Sequence, residues 1–207
     1  MKKFLSVLLC VVLALACFTA CSAKEELTGT WKADVNLADA MNQVITEGDP
    51  TVGEYIKFKE FTLTIVLELN EDGTYKMYAD EAKALSSFEN LKKEFKDGML
   101  KYLEATLKDA GLDMSLEDAL ALTGMNVDDL IEESFSQDIL DDMLEEMYNE
   151  GQYEAKDGKF LTSGDLDSEP TDNGETYKLE GNKLTLDGNT NGNEMLELIY
   201  PLSFKKA

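Results

Sequence analysis

The spacing of apolar positions changes twice along the chain. From Leu27 to Ala79 apolar and polar residues alternate as in strands. From Asp80 to Glu150 apolar residues recur at three- and four-residue steps, and from Gln152 to Lys205 alternation returns. In the first region, Thr28 to Val35 with its Trp31 is a strand. Asn36 is placed to cap a short helix carrying Leu37, Met41, Val44 and Ile45, which Gly48-Asp49-Pro50 ends. A long strand is expected next. Ile56 and Phe58 face one way, then the apolar set changes parity to Phe61, Leu63, Ile65, Leu67 and Leu69. That change predicts a β-bulge at Glu60-Phe61. Asn70-Glu71-Asp72-Gly73 is a hairpin turn, and Tyr75 and Met77 share one face of the returning strand.

In the middle region Leu85, Phe88, Leu91, Phe95, Met99, Tyr102, Leu103 and Leu107 form a helical stripe, interrupted by Gly98 and ended at Gly111. Ser115 with Asp118 starts a short helix that ends near Gly124. Asn126 caps a third helix whose face runs Val127, Leu130, Ile131, Phe135, Ile139, Met143, Leu144, Met147 and Tyr148. Five further strands are expected, at Tyr153 to Lys156, Lys159 to Thr162, Thr176 to Glu180, Lys183 to Asp187 and Glu194 to Phe204. In the last, Leu196, Leu198, Tyr200, Leu202 and Phe204 face one way, and Pro201 belongs at an edge or bulge. The pattern is mainly β with a helical insertion. It predicts an antiparallel β-barrel of about eight strands, interrupted by a three-helix segment.

The N-terminus carries a different signal. Met1-Lys2-Lys3 precedes an uncharged run, Phe4 to Ala20, and then Cys21-Ser22-Ala23-Lys24. A basic start, an apolar stretch and a small-residue cleavage site read as a secretory signal. Phe18-Thr19-Ala20-Cys21 resembles the lipobox of bacterial lipoproteins, with Phe18 in place of the usual Leu. The resemblance implies lipidation of Cys21 by palmitate-type chains. Cys10 and Cys17 would leave with the signal, so Cys21 would be the only thiol of the mature chain. Two acyl chains, at about 0.8 kcal/mol per buried CH₂, anchor a protein stably. The expected division is residues 1–20 signal, 21–27 tether, 28–79 first part of the barrel, 80–151 insertion and 152–207 second part. The expected location is the outer side of the cell membrane.

Leu27-Thr28-Gly29-Thr30-Trp31 resembles the Gly-X-Trp opening of the lipocalin and calycin barrels. Leu69-Asn70-Glu71-Asp72-Gly73-Thr74-Tyr75 and the hairpin from Lys178 to Leu186 fit the bacterial lipocalin-like lipoproteins. The resemblance covers the two strand regions and not Asp80 to Glu150. It implies lipocalin-like barrel architecture and not membership of the ligand-carrier family proper; Trp31 reads as a core aromatic plugging one end, with a ligand contact as the alternative. The Arg that packs over this Trp in lipocalins has no counterpart, because the chain has no Arg; Lys205 or Lys206 could stand nearby.

Charge removes several functions. The chain has 19 Lys, no His and 42 Asp plus Glu, for a net charge of −23. Without His there is no Ser-His-Asp triad and no imidazole-bound zinc. The acidity opposes nucleic-acid binding. Asp109 to Glu154 holds 15 acidic residues and no Lys, whereas Asp80 to Lys108 carries six acids and six Lys. The balanced helix can therefore pack beside the acidic one and soften its repulsion. Asp187-Gly188-Asn189-Thr190-Asn191-Gly192 matches the start of a calcium loop, but its twelfth position is Leu198, and a polar hairpin explains the same residues. Asp165, Asp167 and Glu169 form a second acidic loop, with Pro170 where a Gly belongs. No catalytic, cofactor-binding or metal residue is assigned. The expected function is non-enzymatic: a membrane-anchored lipoprotein whose barrel binds a small apolar or amphipathic ligand. The alternative is a protein-protein interaction module of the cell envelope, acting through the acidic helical insertion.

Overall fold

A computed structural model of the chain describes residues 26–171, 174–188 and 199–207. Eight strands follow one another around a closed antiparallel barrel. They are β1 (Gly29–Asn36), β2 (Thr62–Leu69), β3 (Thr74–Ala79), β4 (Asn149–Lys156), β5 (Lys159–Thr162), β6 (Glu175–Glu180), β7 (Lys183–Leu186) and β8 (Leu202–Lys206). β8 pairs back onto β1, with Trp31 opposite Lys206 and Lys32 opposite Lys205. Closure pairs both edges of each of the eight described strands. Helices α1 (Ala38–Gly48) and α2 (Pro50–Tyr55) connect β1 to β2, and α3 (Glu81–Asp109), α4 (Leu116–Thr123), α5 (Val127–Ser134) and α6 (Gln137–Met147) connect β3 to β4. β3 and β4 pair directly, Tyr75 opposite Gly151, so the four helices occupy one connection between neighbouring strands.

Two compact units divide the chain. One comprises residues up to Ala33, Ile65–Tyr78 and Tyr148–Ala207; the other comprises Asp34–Thr64 and Ala79–Met147. In the first unit, Trp31, Ile65, Leu67, Leu69, Tyr75, Tyr153, Phe160, Leu184, Leu186, Leu202 and Phe204 are all buried. Tyr153 stacks on Phe160 with ring centroids 5.5 Å apart. The buried hydroxyls are spoken for: Tyr75 donates to Ser163 O at 3.0 Å, and Tyr153 donates to Asn70 O at 3.2 Å.

The second unit is built around α3. Asp80 caps it by accepting from Lys83 N, and Ala84, Phe88, Leu91 and Gly98 form its buried stripe. Leu85, expected in that stripe, is 40% exposed, and Ala84 takes its place. Phe135 packs against Phe88 and Phe95 with centroids 5.6 and 5.0 Å away. Lys92 lies 2.7 Å from Glu132, and Lys96 pairs with Asp128, so the balanced helix does stand beside acidic α5.

Four expectations are corrected. Ile56 to Phe61 is not strand and there is no bulge; β2 begins at Thr62. The backbone of that segment is held by side chains. Asn42 Nδ2 donates to Phe58 O and Asn42 Oδ1 accepts from Phe58 N, both at 2.8 Å, while Glu94 accepts from Lys59 N at 2.9 Å. Ile56 and Phe58 are buried as a docked extended loop. Second, Asp49 starts a further helix, α2, accepting from Thr51 N and Val52 N, with Pro50 in its first turn. Third, the insertion has four helices. The expected third helix breaks at Phe135 (φ −128°, ψ 50°) into α5 and α6. Fourth, the last strand begins at Leu202, after a cis Tyr200-Pro201 bond, with Tyr200 outside it. Leu196 and Leu198 lie outside the described residues.

Candidate functional site

Short helices follow α3 in the second unit. α3 ends at Asp109; Ala110 is its C-cap and Gly111 takes φ +69°. That left-handed residue turns the chain sharply. Leu112, Asp113 and Met114 then pass without regular structure to Ser115. Ser115 caps α4: its Oγ accepts from Asp118 N at 3.1 Å and donates to Asp118 Oδ2 at 2.6 Å. Gly124, at φ +69°, ends α4, and Asn126 starts α5 by accepting from Asp128 N.

Between the end of α3 and the start of α4 lies a groove of about 540 Å³. Leu107, Leu112, Met114 and Leu116 supply its apolar lining, and Glu104, Lys108 and Asp113 its charged lining. Leu112 is 47% and Met114 40% exposed. Helix α4 has no buried residue, and Leu122, Met125 and Leu130 further along are also exposed. These exposed apolar side chains stand within a stretch, Asp109 to Glu154, that holds 15 acidic residues and no Lys.

A second constellation is Asp34, Thr64 and Lys83. Thr64 Oγ1 donates to Asp34 Oδ1 at 2.5 Å and accepts from Lys83 Nζ at 3.2 Å. A hydroxyl between a carboxylate and an amine has the composition of an activated nucleophile. Thr64, however, is only 2% exposed, so no substrate reaches it. Its carbonyl accepts from Asp80 N at 2.8 Å, so the cluster fixes the start of α3.

At the barrel, Trp31 Nε1 donates to Leu27 O at 2.7 Å, and Lys206 Nζ stands 5.1 Å from the ring centroid. Lys206 thus takes the place over the Trp that was open in the sequence, as a cation over a π face. Gly29 makes this arrangement fit: its φ is +133°, and a Cβ there would stand 3.0 Å from Lys206 Cε.

No family model, curated protein or solved structure matches the chain. The site therefore stands on its own geometry.

Cys21 and the signal lie outside the described residues, as do Asn189, Asn191 and Gly192 of the calcium-like loop. Asp165 is a loop cap: it accepts from Asp167 N, Ser168 N and Ser168 Oγ, and the Ser168 bond leads in holding its carboxyl below the ordinary range. Among the described residues no cluster of His, Cys, Asp or Glu has the geometry of a metal site, and no helix is long and apolar enough to cross a membrane. Sequence reasoning found the acidic run but missed the groove. Leu112 and Met114 sit in a turn without periodicity, and the available signal was two large apolar residues between Gly111 and the Ser115 cap.

Proposed function

We propose that this chain is an extracytoplasmic lipoprotein, anchored by lipid at Cys21, that works by docking another protein of the cell envelope. The barrel is its scaffold and the acidic helical segment its binding element. The observation that carries this reading is the set of exposed apolar side chains, Leu112, Met114, Leu122, Met125 and Leu130, within a run of acids that contains no Lys. The inner barrel residues support it from the other side. Trp31, Ile65, Leu67, Tyr75, Leu184 and Phe204 are at most 6% exposed.

Affinity capture from envelope extract, at low and at physiological salt, tests the reading. The wild-type chain should retain a basic protein that the Asp138→Asn, Asp142→Asn, Glu145→Gln, Glu146→Gln variant loses, with the loss greatest at low salt. Equal retention by both chains would count against docking through the acidic helices.

The carrier reading keeps one supporting observation, the closed eight-stranded barrel, a size that holds one small ligand in other barrels. A thermal-shift screen with fatty acids, sterols, tetrapyrroles and sugars tests it. A ligand at about 100 times its dissociation constant adds about 2.7 kcal/mol. A flat screen counts against a carrier.

A further inference from the structure

We propose that the groove at the α3–α4 turn takes a short basic amphipathic segment of the partner protein. An apolar side chain enters between Leu107, Leu112, Met114 and Leu116, and Lys or Arg side chains of the segment meet Asp113 and the first turn of α4. The proposal rests on the docking reading above and specifies where and what is docked.

Three observations select this occupant. The groove volume of about 540 Å³ admits a few side chains, not a broad interface. Its lining is mixed: four apolar residues bury an anchor, while Asp113 on the lining and Glu117 and Asp118 beyond it give the α4 side a negative rim. On the α3 wall Glu104 and Lys108 balance each other, so the net negative charge lies on the α4 side and the positive charges of the segment face α4. A purely apolar ligand would leave these carboxylates beside apolar surface without a counter-charge. A second copy would bring another chain of net charge −23 against the same acids. A basic amphipathic segment satisfies both the apolar lining and the rim.

The experiment measures fluorescence anisotropy of a labelled Leu/Lys helical peptide of about 16 residues with the full-length chain. A companion peptide carries Glu in place of Lys. Leu112→Lys and Met114→Lys each put a charge into the groove at an exposed turn position, where far-UV circular dichroism should remain that of the wild type. Val44→Lys is the control: Val44 is 63% exposed and does not line the groove.

The Lys peptide should bind, and either groove variant should weaken it about tenfold, while Val44→Lys changes it by less than about twofold. Equal binding to wild type and both groove variants overturns the groove as the site and leaves docking by the acidic surface standing. Equal weakening by all three variants overturns it too, as added charge alone would explain the loss. Equally tight binding of the Glu peptide overturns the basic partner. Absence of binding to the wild type overturns the groove proposal, and the capture experiment then decides the wider reading separately. A wild-type dimer in sedimentation that Leu112→Lys dissociates would also overturn it, making a second copy the occupant.

Discussion

Glu175 at the start of β6 is a carboxylate in an uncomfortable place. Tyr200 Oη donates to its Oε1 at 3.0 Å, and its buried Oε2 has no hydrogen-bond partner among the described residues. Burial holds the Glu175 carboxyl above the ordinary range, although the Tyr200 bond pulls the other way. Burial also raises the Tyr200 phenol, with the Glu175 charge adding to it. A raised native pKa means that the folded chain holds this proton more tightly than the unfolded chain does. The stability that Glu175 contributes is complete below its ordinary value of 4.5 and is lost as pH rises through the raised value. Glu175→Gln should therefore melt higher than wild type at neutral pH, and the two should converge towards pH 4. Melting curves across that range check it; a gap that widens on acidification would refute the assignment. No sequence pattern marks Glu175, because its state depends on Tyr200, 25 positions away in the chain.

At the scale of the element, α3 shows how one residue sets a packing distance. Gly98 is buried, and a Cβ there would lie 2.8 Å from Ile56 Cα and 2.9 Å from Tyr55 O. Helix propensity favours Ala at this position by about 1 kcal/mol. The obstructing atoms are backbone, however, and overpacking of a filled site costs about 1–3 kcal/mol. Gly98→Ala is therefore expected to destabilise the chain in denaturant unfolding despite making a better helix. Stabilisation would show that the α2 end can move aside. The same region explains what the sequence could and could not tell. All eight strands were legible in their order, since alternation survives wherever a strand has one covered face. Ile56 and Phe58 imitated a strand because a docked loop also buries alternate residues. What decides between the two is Asn42 of α1, which takes both backbone groups of Phe58. The break at Phe135 was invisible because Ile131, Phe135 and Ile139 keep helical spacing straight through it. The acidic half of the candidate site was legible from composition. Its apolar half was not, since it is made by a turn.

At the scale of the molecule, 42 acids against 19 Lys leave a large self-repulsion. Ion pairs among the described residues, Lys92 with Glu132, Lys96 with Asp128, Lys76 with Glu150, Lys178 with Glu180 and Lys83 with Asp34, offset it locally. Exposed pairs of this kind contribute about 0–1 kcal/mol each. Repulsion should therefore dominate, and raising sodium chloride to about 0.5 M, where screening is short-ranged, should raise the melting temperature. A gain of about 1 kcal/mol corresponds to about 2–4 °C in a chain of this size. A fall would mean that the ion pairs outweigh the repulsion they sit in.

The pairing of β1 with β8 also sets an order of events in time. Trp31 is made early, while Lys206, which stands over it, and Phe204, buried with it in the same unit, come after every other strand of the barrel. As the chain emerges from the ribosome, the circle therefore stays open through the synthesis of seven strands. The helical unit, whose last residue is Met147, has all its parts well before that. For that interval β1 lacks its β8 partner, and the Trp31 indole lacks the cation that stands over it in the finished fold.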